Sequence, residues 1–134
     1  MFVEKRNLAQ LYYLDKDIAL MERRIEEKRA ALEKMTAKYS DMPGKSTAED
    51  YAKEELVDMI NLLAVKKREA EIARSIGERF ICSVDDPQIR LILSMRYIDK
   101  KSWRKIAFGI GGKNTEDSVR MMERRFWEKR KDTD

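Results

Sequence analysis

Three observations predict an all-α fold. Only five glycines and two prolines punctuate 134 residues, leaving few turns for a chain of many short strands. Charged residues make up 40% of the sequence beside an apolar share of 43%, a mixture typical of long amphipathic helices and too apolar for disorder. Apolar side chains also recur at helical spacing along most of the chain. The expected architecture is a long antiparallel helical hairpin of coiled-coil type over residues 1–84, followed by a module of three shorter helices over residues 85–134.

The first helix is expected from Glu4 to Tyr39. Leu11, Ile18, Ile25, Leu32 and Tyr39 fall every seven residues, and Leu14, Met21, Lys28 and Met35 lie three residues on. This is an a/d seam interrupted only by Lys28. A helix of about 50 Å cannot bury such a stripe against itself. Pro43 and Gly44, within Ser40–Lys45, end it and allow a reversal. Ser46-Thr47-Ala48-Glu49 reads as a capping box for the second helix. That helix carries Ala52, Leu56, Met59, Ile60, Leu63, Ala70, Ile76 and Phe80 on one side, and Lys66, Lys67, Arg68, Glu69 and Glu71 on the other.

Two helices give a thin core, so two hairpins are expected to pair into a four-helix bundle. Leu11, Leu14, Ile18, Met21, Ile25, Leu32 and Met35 are the expected oligomerisation seam of a homodimer or higher homo-oligomer. The alternative is a monomer whose hairpin leans on the C-terminal module.

Asp85-Asp86-Pro87 sets an acidic N-cap before a proline at the first helical position. The helix it opens is expected over Pro87–Ile98, with Ile89, Ile92, Leu93 and Met95 facing the core. Ser102 caps a short helix, Trp103–Phe108. Gly109-Ile110-Gly111-Gly112-Lys113 supplies a turn with wide φ freedom. Asn114 or Thr115 then caps a last helix, residues 116–131, before a frayed end at Asp132-Thr133-Asp134.

Helix, short helix, glycine-containing turn and longer basic helix together outline a helix-turn-helix. Val119, Met122 and Phe126 form the expected inner face of the last helix, opposite Asp117, Ser118, Arg120, Met121, Arg124 and Arg125. Trp103, Ile106 and Ala107 pack inward from the preceding helix, leaving Arg104 and Lys105 outside. Trp127 is expected to serve packing, and Lys129, Arg130 and Lys131 to form a solvated last turn.

Charge is distributed unevenly. Residues 1–87 hold 16 Lys and Arg against 18 Asp and Glu, whereas residues 88–134 hold 13 against 7. A basic end on a near-neutral chain is the pattern of a nucleic-acid-binding module. Lys100, Lys101, Arg104, Lys105, Lys113 and Arg125 suit phosphate contacts, which position a protein without reading sequence. Ser118, Arg120, Met121 and Arg124 are the base-edge candidates, because arginine pairs bidentately with guanine and methionine can touch a thymine methyl. Glu116 and Asp117 suit the helix N-terminus.

The chain contains no histidine and one cysteine, Cys82. It therefore lacks the commonest general base and any multi-cysteine zinc site. No enzymatic activity, metal or cofactor is expected. Cys82, beside Phe80 and Ile81, is expected to be buried. Early charges at Glu4, Lys5 and Arg6, with no long apolar stretch after them, predict a cytoplasmic protein without a membrane segment.

Ile89-Arg90-Leu91-Ile92-Leu93-Ser94-Met95-Arg96-Tyr97-Ile98, followed by Lys101-Ser102-Trp103-Arg104-Lys105-Ile106-Ala107, resembles the region 4 helix-turn-helix of sigma-70-type factors. It is especially similar to small region-4-like proteins of phages and prophages in Gram-positive bacteria. The resemblance spans residues 86–128. It implies a transcriptional regulator of phage origin that binds double-stranded DNA through the helix 116–131, with RNA polymerase as a further partner it allows. The turn Gly109–Asn114 is longer and richer in glycine than the family's compact turn. The other sigma regions are replaced by the hairpin, which argues against a working sigma factor. Two alternatives stand beside this reading: a phage DNA-packaging subunit of the small-terminase kind, and a protein-protein interaction module without DNA binding.

Overall fold

A computed structural model of the chain describes residues 3–39 and 47–133, without the side chains of Tyr39, Asp132 and Thr133. The expected reversal at Ser40–Lys45, the Ser46 cap and the seam position of Tyr39 lie outside this description. Every described element is helical: α1 (Lys5–Tyr39), α2 (Thr47–Ser83), α3 (Pro87–Leu93), a π-helical turn (Ser94–Ile98), α4 (Trp103–Ile110) and α5 (Glu116–Thr133). None of these helices is long and apolar enough to cross a membrane.

Two compact units are present, and they divide differently from the boundary expected at residue 84. One is Leu14–Ala70; the other joins Met1–Tyr13 to Glu71–Asp134. The difference arises because the start of α1 and the end of α2 supply core to the C-terminal helices instead of ending as a free arm.

Within Leu14–Ala70, α1 and α2 pair antiparallel. Lys67 Nζ meets Glu22 at 3.1 Å, Lys28 Nζ meets Glu55 at 2.7 Å, and the Thr36 hydroxyl donates to Glu49 at 3.1 Å. Lys28, which interrupts the seam, is thus answered by a carboxylate across the pair. Ile25 is only 4% exposed within the single chain. Leu14, Ile18, Met21, Leu32 and Met35 are half-buried. The stripe assigned to oligomerisation is therefore covered largely by α2 of the same chain. Among the described residues of this unit, the exposed large apolar ones, Tyr51, Val57, Leu62 and Val65, all lie on α2.

In the other unit, Val3, Leu8 and Leu11 are buried together with Phe80, Ile81 and Val84. Gly77 makes the approach possible: a Cβ there would stand 3.1 Å from Leu8 Cδ2 and 3.3 Å from Leu11 Cδ1. Asp86 caps α3, its carboxylate accepting from the amides of Gln88 (2.9 Å) and Ile89 (3.4 Å), with Pro87 opening the helix. Ile92, Leu93, Ile106 and Val119 are the fully buried centre, each contributing about 1.5–3 kcal/mol of burial. The expected single helix to Ile98 instead finishes in a wide turn, where the Asp99 amide donates to the Ser94 carbonyl at 3.0 Å. Over five residues an apolar pattern does not distinguish this turn from an α-turn.

Two expectations are corrected here. Cys82 is exposed, because Phe80, Ile81 and Val84 define the buried side of the α2 end and Cys82 falls on the opposite side of the helix. Arg130 is not part of a merely solvated turn. Its guanidinium lies 4.6 Å from the Phe80 ring and donates to the Val3 carbonyl at 3.2 Å.

Candidate nucleic-acid interface

The segment read in the sequence as a helix-turn-helix consists of α4, the turn after it, and α5. Ser102 begins α4 in extended backbone, its hydroxyl accepting from the Lys105 amide at 3.3 Å. Ile106 and Ala107 are buried beneath the helix, while Arg104, Lys105 and Phe108 point outward. Phe108 is 89% exposed. The helix runs two residues past its expected end, so Gly109 is helical. A Cβ on Gly109 would come within 2.5 Å of Met95 Cε. The turn itself uses Gly111 and Gly112, at φ 76° and 67°, values that favour glycine.

Of the two expected caps of α5, Thr115 serves: its hydroxyl accepts from the Ser118 amide at 3.2 Å. Ser118 reciprocates, accepting from the Thr115 amide at 2.8 Å and donating to the Thr115 carbonyl at 2.9 Å. The base-edge candidate Ser118 therefore sits inside a capping box. Asn114 braces the turn by donating to the Gly111 carbonyl.

Beyond the cap, Arg120, Met121 and Arg124 are exposed as expected, as are Asp117 and Arg125. Arg120 and Arg124 are one turn apart on the same side of α5. The Arg124 guanidinium is paired with Glu128 at 3.2 Å, an exposed contact that a phosphate or base could displace. Arg120 lies 5.9 Å from the Trp103 ring, and Arg96 lies 4.5 Å from that ring while donating to the Lys101 carbonyl. Trp103 thus gathers two arginines at the start of α4. Arg125, five residues from Arg120, is turned away from it by roughly 140°. It lines a groove of about 670 Å³ with Asp85, Asp86 and Lys129.

The phosphate candidates fall into two environments. Lys101, Arg104, Lys105 and Lys113 are exposed. Lys100 is half-buried, in the left-handed region at φ 57°, and burial lowers its pKa below the ordinary lysine value.

Sequence reading missed the residue that fixes α5. Glu123 is 2% exposed on the face of Val119 and Trp127, four residues from each. Its Oε1 accepts from the Tyr97 hydroxyl at 2.5 Å and from Trp127 Nε1 at 3.3 Å, and lies 3.5 Å from Lys5 Nζ. Oε2 is buried without a hydrogen-bond partner among the described residues. The inner face is thus centred on Val119, Glu123 and Trp127, with Met122 and Phe126 half-buried beside it. The available signal is the i, i+4, i+8 spacing of Val119, Glu123 and Trp127, whose charged middle member an apolar pattern does not register.

Among the described residues, no group of three His, Cys, Asp or Glu is placed to hold a metal ion. Compared with protein-family models, curated proteins and solved structures, the chain has no match among any of them.

Proposed function

We propose that the chain is a DNA-binding transcriptional regulator of the sigma-region-4-like phage and prophage type. In this reading α5 lies in the major groove of double-stranded DNA and α4 crosses the backbone. One observation carries it. Arg104 and Lys105 on α4, and Arg120 and Arg124 on α5, are outward over the fully buried Ile106 and Val119. Cationic side chains are thereby held on two packed helices, the arrangement groove recognition requires. Arg120, Met121 and Arg124 read base edges, and Lys100, Lys101, Arg104, Lys105 and Lys113 meet phosphates. Ser118 supports them by fixing the start of α5. Two copies present two recognition helices.

Fluorescence anisotropy of labelled duplexes, from the chain's own upstream region and of random sequence, tests the reading. Binding should weaken steeply with salt, with a log-log slope of about −4 to −6 if each of these cations meets one phosphate. Preference for the upstream duplex is expected. Absent binding at low salt rejects the proposal.

A second reading has one specific observation behind it: Phe108, almost wholly exposed beside Arg104 and Lys105. An exposed aromatic of this kind suits a protein contact. Salt-insensitive association with a protein, abolished by Phe108→Ala while DNA binding persists, would support it.

A further inference from the structure

The outer side of α2 carries a pattern that α1 leaves uncovered. Glu54, Val57, Asn61, Val65 and Arg68 are all exposed. Their spacing of three, four, four and three residues places them in one narrow stripe of the helix, about 21 Å long. The stripe is symmetric about Asn61: valines stand four residues to either side, and opposite charges stand seven residues to either side. Leu62, also exposed, widens its apolar centre. Neighbouring charges are engaged within the chain, Lys66 with Glu69, Lys67 with Glu22 and Lys53 with Glu49. Glu54 and Arg68 form no ion pair among the described residues.

We infer that this stripe docks a second copy of the chain, α2 against α2, antiparallel about a two-fold axis at Asn61. Antiparallel pairing is the one arrangement in which the pattern complements itself. Asn61 meets the partner's Asn61, Val57 meets the partner's Val65, and Glu54 meets the partner's Arg68. The same contacts recur on the other side of the axis, as an isologous interface demands. The paired asparagines fix the register, because sliding one helix by a turn would bury each against a valine. A parallel arrangement would set Glu54 against the partner's Glu54 and Arg68 against the partner's Arg68. The inference gives a surface to the two-copy part of the proposed function and does not depend on DNA binding.

The test is the oligomeric state of the full chain by sedimentation equilibrium, with circular dichroism as a check on folding. Val65→Asp, at an exposed position, should leave helicity intact and weaken association by about tenfold or more. Glu54→Arg and Arg68→Glu should each weaken self-association in the same assay. Mixing those two variants should restore a dimer, because each then meets an opposite charge at both ends. A wild type that stays monomeric across the micromolar range overturns the inference and leaves the stripe to an unlike protein. A Val65→Asp dimer as tight as wild type overturns it too, as does a mixture no more associated than its components. These outcomes leave the DNA reading to the anisotropy titration, which monomeric variants can undergo separately.

Discussion

The Tyr97 hydroxyl donates to the Glu123 carboxylate at 2.5 Å, joining the end of the π-helical turn to the middle of α5 inside the core. Glu123 is buried and one of its oxygens has no partner among the described residues, so each donor to the other oxygen counts. Tyr97→Phe removes one of them and should destabilise the chain by about 1–3 kcal/mol. A double-mutant cycle with Glu123→Gln should give a coupling of about 1 kcal/mol or more. Additive effects in urea denaturation would show that the two side chains do not act together.

The same contact sets a pH dependence. Burial, then the hydrogen bond to Glu123 and its negative charge, raise the Tyr97 pKa well above the ordinary tyrosine value, with Arg96 opposing. The unfolded phenol ionises near pH 10. Stability from the neutral phenol is therefore fully present below about pH 10 and is lost as pH rises through the folded-state pKa. Lysines titrate in the same range, so the informative quantity is the difference from Tyr97→Phe. Melting temperatures of the two proteins should converge above about pH 10. A constant gap would refute the assignment.

At the proposed interface, side chains of different role should respond differently. Arg120→Ala and Arg124→Ala should each cost about 1–3 kcal/mol against a preferred duplex and relax sequence preference. Lys105→Ala should weaken all duplexes alike and reduce the salt slope by about one. Titrations of specific and random duplexes at several salt concentrations separate the two. Uniform loss in all three variants would remove base reading from α5.

What the sequence made legible follows from how local each signal is. The caps at Asp86, Ser102 and Thr115 were readable because a cap is a contact between residues two or three apart. The outward Arg104, Lys105, Arg120 and Arg124 were readable because Ile106 and Val119 fix the helical phase. Glu123 was not, because its donors, Tyr97 and Lys5, are distant in sequence. The partition of the chain was missed for a similar reason. Leu11 belongs to a regular heptad seam whose period is silent about which end of α1 joins the C-terminal helices, and Leu8, buried with it, lies outside that seam. Cys82 misled because apolar neighbours in sequence are not neighbours on a helix face.

Lys100 offers a separation of stability from binding. It is a non-glycine residue at φ 57°, half-buried between the π-helical turn and α4. Left-handed backbone costs a β-carbon-bearing residue about 1–2 kcal/mol. Lys100→Gly should therefore raise stability by a fraction of that amount, since glycine also gains freedom in the unfolded chain. If Lys100 meets a phosphate as proposed, the same change should also weaken DNA binding. Thermal denaturation and anisotropy on one preparation test both halves. A variant that loses stability would show that the lysine side chain holds the turn.

Ile25 distinguishes the seam's role within one chain from a role between chains. The heptad pattern alone assigns it to oligomerisation, and Ile25→Asp would then dissociate a folded protomer. In the structure Ile25 is buried within the single chain, where α1 pairs with α2 in the register shown by Lys28 with Glu55 and Glu22 with Lys67. An aspartate there places a charge in an apolar seam where the cations one helical turn on, Lys28 and Arg29, are already paired with Glu55 and Glu26, a change that costs several kcal/mol unless the helices part. The expected outcome is loss of helicity over Leu14–Ala70, seen as reduced circular dichroism and faster proteolysis of α2. Val65→Asp, on the outer stripe, should show neither effect. A monomeric Ile25→Asp protein with wild-type helicity would instead mean that the α1 seam is the surface between copies.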